Sequence, residues 1–220
     1  MDQQRKLIFY KNYFREFFNP LSSKVQEKID YVLFLIIVAD RIPKKFFEHI
    51  TGTDGLFEIR IEFESNIYRI FCCFDEGKLV VLFNGFQKKS QKTPQKEIDK
   101  ALKIKQEYID EKLKERERKK AMKKDKLITT FEEHLDERYG RIGSKERNDF
   151  DIKAKAFAIG EIIKDERKHS NMTQEELAKR TGTRKSFISR IENGHSDIQL
   201  STLYKLIEQG LGKKIDLSIH

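Results

Sequence analysis

Between Glu111 and Lys126 the chain reads EKLKERERKKAMKKDK, where nearly every residue is charged and no stripe could be buried. Such a run is solvated, either as an exposed helix or as a connector. Apolar periodicity resumes on both sides of it, so the chain is expected to build two cores, with a connector over 113–126. Its 220 residues suffice for two small domains. Met122 inside the run also reads as a second start, so the two halves could be separate proteins joined head to tail. The halves share no internal repeat.

Composition narrows the class. Apolar residues make up 38% of the chain and include 17 Phe, enough for real cores, and the net charge of +9 favours an anionic partner such as nucleic acid. Cys72 and Cys73 are adjacent in a strand-like run, so their side chains point to opposite faces and a disulfide between them would be strained. Both are expected to stay reduced in a cytoplasmic protein. No apolar run follows Arg5 and Lys6 to make a leader, and the longest one, Tyr31 to Ala39, is too short to span a membrane. The five His stand apart from each other and from the cysteines, so neither metal nor cofactor is expected.

The clearest local signal is TQEELAKRTGTRKSFISRIENG, from Thr173 to Gly194. Thr173 with Glu176 forms a capping box, contributing about 1 kcal/mol. Leu177 and Ala178 point inward, Gly182 permits a tight turn, and Thr183 is expected to cap a second helix that buries Ile188 and Ile191. Asn193-Gly194 closes that helix. Ala156, Ile159 and Ile163 imply a supporting helix before the pair, and Leu200, Leu203, Leu206 and Ile207 another after it. Two short helices around a Gly-containing turn are a helix-turn-helix.

Those residues resemble the Cro/repressor-like regulators. The resemblance places the second helix in the major groove, where Arg184, Lys185 and Ser186, then Ser189 and Arg190, could reach base edges. It gives Gln174 a phosphate or base contact and Asn193 a phosphate contact. It also implies a homodimer through this half of the chain on a palindrome whose half-sites lie about 34 Å apart. The tail from Lys214 to His220 alternates like a strand that could pair protomers.

In the other half, residues 6–10 suit an edge strand, and Ser23 precedes a helix with Val25, Ile29, Val32, Leu33 and Ile36 on one side. A short helix is expected after Pro43, then strands Leu56–Glu64, Ile67–Asp75 and Lys78–Phe86 joined by two-residue turns at Ser65-Asn66 and Glu76-Gly77. In that register Arg60 opposes Phe71 and Arg69 opposes Asn84. Phe57, Ile59, Ile61, Phe63, Tyr68, Ile70, Cys72, Phe74, Val81 and Phe83 then share the face that helices cover. Arg60, Glu62, Arg69, Phe71, Asn84 and Phe86 share the open face, with Lys88, Lys89 and Lys92 just beyond. Aromatics that stack bases beside cations that hold phosphate suit single-stranded RNA. Glu58, Glu62 and Glu64 equally allow a plain solvated face of cross-strand ion pairs.

The elements GLFEIR, YRIFC, NGFQKK and a helix opened by Thr93-Pro94 resemble the HigB branch of the RelE-like toxins, its phage-derived variety included. The resemblance covers roughly the first half of the chain. It implies an α+β domain with a small antiparallel sheet, followed here by an all-α helix-turn-helix domain. It also implies a metal-independent endoribonuclease that cuts mRNA on the ribosome. Arg60 and Arg69 would clamp the phosphate, Lys88 and Lys89 would orient RNA or move protons, and Phe86, Asn84 and Lys92 would hold the strand. Of the histidines only His49 comes near this surface in sequence. YGRIGSKERNDFD and AFAIGEIIKDER resemble HigA-type antitoxins. The organisation expected is a toxin over 1–112, a connector over 113–126 and an antitoxin over 127–220 with its DNA-binding module at 153–212. Phe131, Leu135 and Tyr139 are candidates for the toxin contact or for packing within their own domain. The competing expectation is a transcriptional repressor whose RelE-like domain is inactive and serves assembly.

Overall fold

The computed structural model describes residues 5–77, 79–88, 93–118, 128–195 and 198–215. It divides into two compact units, residues 1–147 and 148–220. Lys89, Lys92 and most of the tail after Lys214 lie outside the described residues, as do residues 119–127 of the charged run.

The first unit is α+β. Strand β1 (Lys6–Tyr10) leads into helices α1 (Tyr13–Phe18) and α2 (Ser23–Val38). Strands β2 (Phe47–His49), β3 (Leu56–Phe63), β4 (Asn66–Asp75) and β5 (Leu79–Lys88) follow, then helix α3 (Gln95–Arg118), strand β6 (Ile128–Thr130) and helix α4 (Phe131–Tyr139). The strand order is β2-β3-β4-β5-β1-β6. Because α1 and α2 cross the sheet before the chain returns at its far side, β1 runs parallel to β5. The sheet is therefore mixed, not wholly antiparallel, and β1 is an inner strand because β6 pairs with its outer side. After Pro43 the chain forms β2 in place of the expected helix.

The hairpins correct the expected register. Glu64 and Ser65, with φ of 46° and 64°, make the first two-residue turn, so Phe63 pairs with Asn66. Two successive left-handed residues give the turn whose twist matches the strands. Arg60 therefore faces Arg69 directly, and not Phe71. Each partner has slid by two positions, which preserves the faces. The second turn holds three residues, pairing Asp75 with Leu79, and this flips Val81 and Phe83 to the arginine face. A bulge between Ile70 and Cys72 then restores the expected parity, and Arg69 pairs with Phe86, not Asn84.

Both faces of the sheet are covered. Alternation places Phe9, Cys72 and Gly85 on the side of α1, where a Cβ at Gly85 would come within 2.3 Å of the Phe17 ring. The opposite side, expected to be open, carries α3: Ala101, Ile104 and Tyr108 pack with Tyr10, Leu56, Phe71, Val81 and Phe83. The first part of the charged run, through Arg118, continues that helix.

Helix α4 packs within this unit. Phe131 and Leu135 are buried, and the Phe131 ring centroid lies 6.4 Å from that of Phe9. Tyr139 donates to Asp30 Oδ2 on α2 at 2.8 Å. Of the two alternatives for this helix, Phe131 and Tyr139 take the contact with the sheet-bearing unit.

The second unit is helical. It takes in most of α5 (Lys145–His169), then α6 (Gln174–Thr181), α7 (Lys185–Glu192) and α8 (Leu200–Tyr204), the last running into a π-helical turn at Lys205–Gly210. Ile163, Leu177, Ile188, Ile191 and Leu206 form its core, while Leu200 stays exposed. Gly160 lets α5 approach α7, since a Cβ there would meet the Ile191 carbonyl at 2.3 Å. Among the described residues no helix is long and apolar enough to cross a membrane.

Candidate nucleic-acid sites

The helix-turn-helix is built as its sequence dictates. Thr173 Oγ1 accepts from the Glu176 amide at 3.1 Å, and Glu176 Oε2 accepts from the Thr173 amide at 2.6 Å. Those donors hold the Glu176 carboxyl below its usual range, the backbone N–H first and the hydroxyl second. Gly182 closes α6 at φ 62°. Thr183 does not cap α7: Arg184 holds the cap position, and the Thr183 hydroxyl lies 3.0 Å from that of Thr181. Turn geometry has moved the cap one residue on.

Arg184, Lys185, Ser186 and Arg190 are exposed on or beside α7, and Ser189 is half-buried. Arg190 also covers the Phe187 ring at 5.9 Å. Asn193 is exposed, and its amide donates to the Ser189 carbonyl at 2.8 Å. Gln174 donates to Glu192 at 2.8 Å, leaving its second amide hydrogen for an outside acceptor. Glu192 is fully buried and held by Arg167, with Nε to Oε1 at 2.5 Å and Nη2 to Oε2 at 2.9 Å. This fork–fork pair ties α5 to the end of α7 and so fixes the angle at which α7 presents its cations.

The second site lies in the first unit, on the arginine face near the start of α3. Arg60 and Arg69 stand on neighbouring strands in direct register, yet neither is an open cation. Arg60 Nε donates to Glu58 Oε1 at 2.7 Å, and its Nη2 pairs with Glu48. Arg69 is buried, donates Nη1 to the Tyr68 carbonyl at 3.0 Å, and holds Glu58 only loosely, Nε to Oε2 at 3.4 Å. Burial lowers the Arg69 pKa, and the nearby Glu58 opposes that shift. The Thr93 hydroxyl reaches Glu58 Oε2 at 3.4 Å.

Phe86 stacks on Phe71 with ring centroids 5.6 Å apart and an interplanar angle of 27°. Asn84 is buried; its Nδ2 lies 3.5 Å from Glu97 of α3, and its Oδ1 has no partner among the described residues. Lys88 ends β5, half-buried and opposite Ile67. Four expected residues, Arg60, Arg69, Asn84 and Phe86, therefore converge. His49 does not join them, because its ring packs edge-on to Phe57 at 5.1 Å on the other face.

Two carboxylates escaped the sequence reading: Glu48 and Glu97. Glu58 was read there as an ion-pair partner, since residues two apart on a strand share a face with Arg60. Glu48 was hidden by the helix expected there. A guanidinium pair gripped by carboxylates is an anion site already filled by the protein's own anions. An incoming phosphate would have to exchange with them.

Comparison with known families agrees with this division. Residues 16–106 match the phage-derived protein Gp49-like family, and residues 163–210 match a helix-turn-helix family. No curated protein matches the chain. The chain thus carries one segment similar to the Gp49-like family and a second similar to a helix-turn-helix family.

Proposed function

We propose that the first unit is a metal-independent endoribonuclease acting on mRNA at the ribosome, and that the rest of the chain is its antitoxin and operator-binding repressor. This is a HigB–HigA-type arrangement on one chain. The observation that carries it is the direct pairing of Arg60 with Arg69, beside the stacked Phe71 and Phe86, inside the Gp49-like segment.

In this reading a phosphodiester displaces the carboxylates from the two guanidinium groups, and a base stacks against Phe86. The 2′-hydroxyl gives up its proton to solvent and attacks the adjacent phosphorus; the bond to the 5′-oxygen breaks, leaving a 2′,3′-cyclic phosphate, and the 5′-oxygen takes up a proton from solvent. Arg60 and Arg69 neutralise the charge that grows on the phosphorane oxygens. Glu58, ion-paired with both guanidinium groups, serves to aim them. Lys88, with Lys89 and Lys92, steers the strand. Arg184, Lys185, Ser186, Ser189 and Arg190 read operator bases, with Gln174 and Asn193 on phosphates, in a dimer.

The assay is full-length protein added to a translating extract, with mRNA ends mapped. Cut ends bearing a cyclic phosphate and a 5′-hydroxyl, lost in Arg69→Ala, support the nuclease. A second reading also has its own observation: Arg69 is buried and charge-matched, as in a domain kept for assembly. Intact mRNA beside tight operator binding would favour that repressor.

A further inference from the structure

Asp30 has no exposed surface, although it sits in the apolar stripe of α2. Its described hydrogen-bond and ion-pair partners all stand on α4. His134 Nε2 lies 3.0 Å from Oδ1, the Tyr139 hydroxyl 2.8 Å from Oδ2, and Arg138 Nε 2.7 Å from Oδ2. Arg138 Nη1 also donates to Gln26 Oε1 at 2.7 Å. The His134 ring is enclosed by Phe9, Phe14, Phe18 and Phe131, at centroid distances of 4.9, 5.9, 5.2 and 5.9 Å. With α4 in place this buried carboxylate is matched by one guanidinium and two further donor groups, so seat and α4 are complementary in charge. Beside it, β6 adds a strand to the outer side of β1.

The position of this seat matters as much as its chemistry. Ile8 and Tyr10 point to the α3 side, so Phe9 points away from the arginine face, and α4 packs on Phe9. Two strands, β5 and β1, separate β6 from Arg69 on β4, a spacing of about 14 Å.

We infer that Ile128–Tyr139 is a docking element recognised through Asp30, and that it and a short RNA occupy the first unit at the same time. The RNA part rests on the nuclease reading; the recognition part does not. A strand–helix ligand of this chemistry, carrying imidazole, guanidinium and phenol on one helix face, grips the sheet from behind. Its coupling to RNA at Arg60 and Arg69 is then near zero.

The test uses the full chain and a hexaribonucleotide with 2′-O-methyl groups, which cannot be cut. Hydrogen exchange over 128–139 should be unchanged by saturating RNA. Asp30→Asn, which leaves Arg138 without its counter-charge, should speed that exchange at least tenfold while RNA affinity moves less than twofold. Unaltered exchange in Asp30→Asn overturns recognition through Asp30. RNA that strips protection from 128–139, or binds tenfold tighter to Asp30→Asn, overturns simultaneous occupancy and leaves the nuclease reading standing. Failure of the wild-type chain to bind RNA at all removes that reading together with simultaneous occupancy. Should Asp30→Asn not fold, exchange in the wild-type chain with and without RNA decides the second point, and conservative His134→Gln decides the first.

Discussion

Each unit buries an arginine against a glutamate, and the two pairs are made differently. Arg167 and Glu192 meet in a short two-pronged contact, with Met172 and Gln174 completing the hydrogen bonds. Arg69 and Glu58 meet at 3.4 Å, and among the described residues Arg69 Nε is left without a hydrogen bond. A closed pair is scaffold: it has nothing left to offer a ligand. An under-satisfied one beside a stacked aromatic pair still has donors to give, which is why the proposed nuclease reading seats its substrate anion there.

The sharpest way to break this contrast is to open the closed pair. Arg167→Met should destabilise the helix-turn-helix unit by about 3–5 kcal/mol, because Glu192 keeps a buried charge with no counter-ion. Urea unfolding of the full chain reads that loss, and operator binding should vanish with it. Adding Glu192→Leu should recover most of the stability, since the uncompensated charge is gone. Equal instability of single and double variants would show that the pair is more than scaffold.

Opening the loose pair should act on chemistry. Arg69→Ala is expected to slow mRNA cutting by about 10²–10³-fold, or roughly 3–4 kcal/mol of transition-state stabilisation, with operator affinity unchanged. Arg69→Lys should rescue little, as one ammonium cannot reproduce the fork. A large loss of operator affinity in Arg69→Ala would dissolve the division of labour between the units.

How far the sequence foretold these sites follows from the range of the forces involved. Thr173, Glu176, Gly182 and Gly194 act through neighbours within one turn, so that unit could be read almost residue by residue, the Thr183 cap and the exposed Leu200 being the departures. The arginine face depends on register, which two turns and one bulge decide. The faces of Arg60, Arg69 and Phe86 came out right because the slips summed to even steps there. Val81 and Phe83 did not, lying between an odd slip and its correction. Glu48 reaches Arg60 only through β2, a three-residue strand with almost no signal of its own. The grip of α4 on Asp30 joins residues more than a hundred positions apart, beyond any local pattern.

A smaller effect separates the units at their ligands. Arg184→Ala should weaken operator binding by about 1–3 kcal/mol and relax base preference at one position, leaving mRNA cutting as it was. A uniform loss across operator sequences, with a shallower salt dependence, would move Arg184 from bases to phosphate.

The smallest expected effect lies in the cap of α6. Thr173→Ala should cost about 1 kcal/mol in the helix-turn-helix unit, since the Glu176 amide loses its acceptor. The same cap carries a pH signature. Folding depresses the Glu176 carboxyl, so its contribution is complete above the unfolded carboxylate range and fades as pH falls through the lower, folded value. Urea midpoints of the wild-type chain should therefore drop from about pH 5 downward. Thr173→Ala, in which the hydroxyl no longer holds the carboxylate, should show a shallower drop over the same range. Parallel slopes in the two proteins would mean that the acid sensitivity arises at other carboxylates, such as Glu107, held low by Lys11, and Asp75, where burial raises the pKa but Lys112 and Tyr108 bring it down.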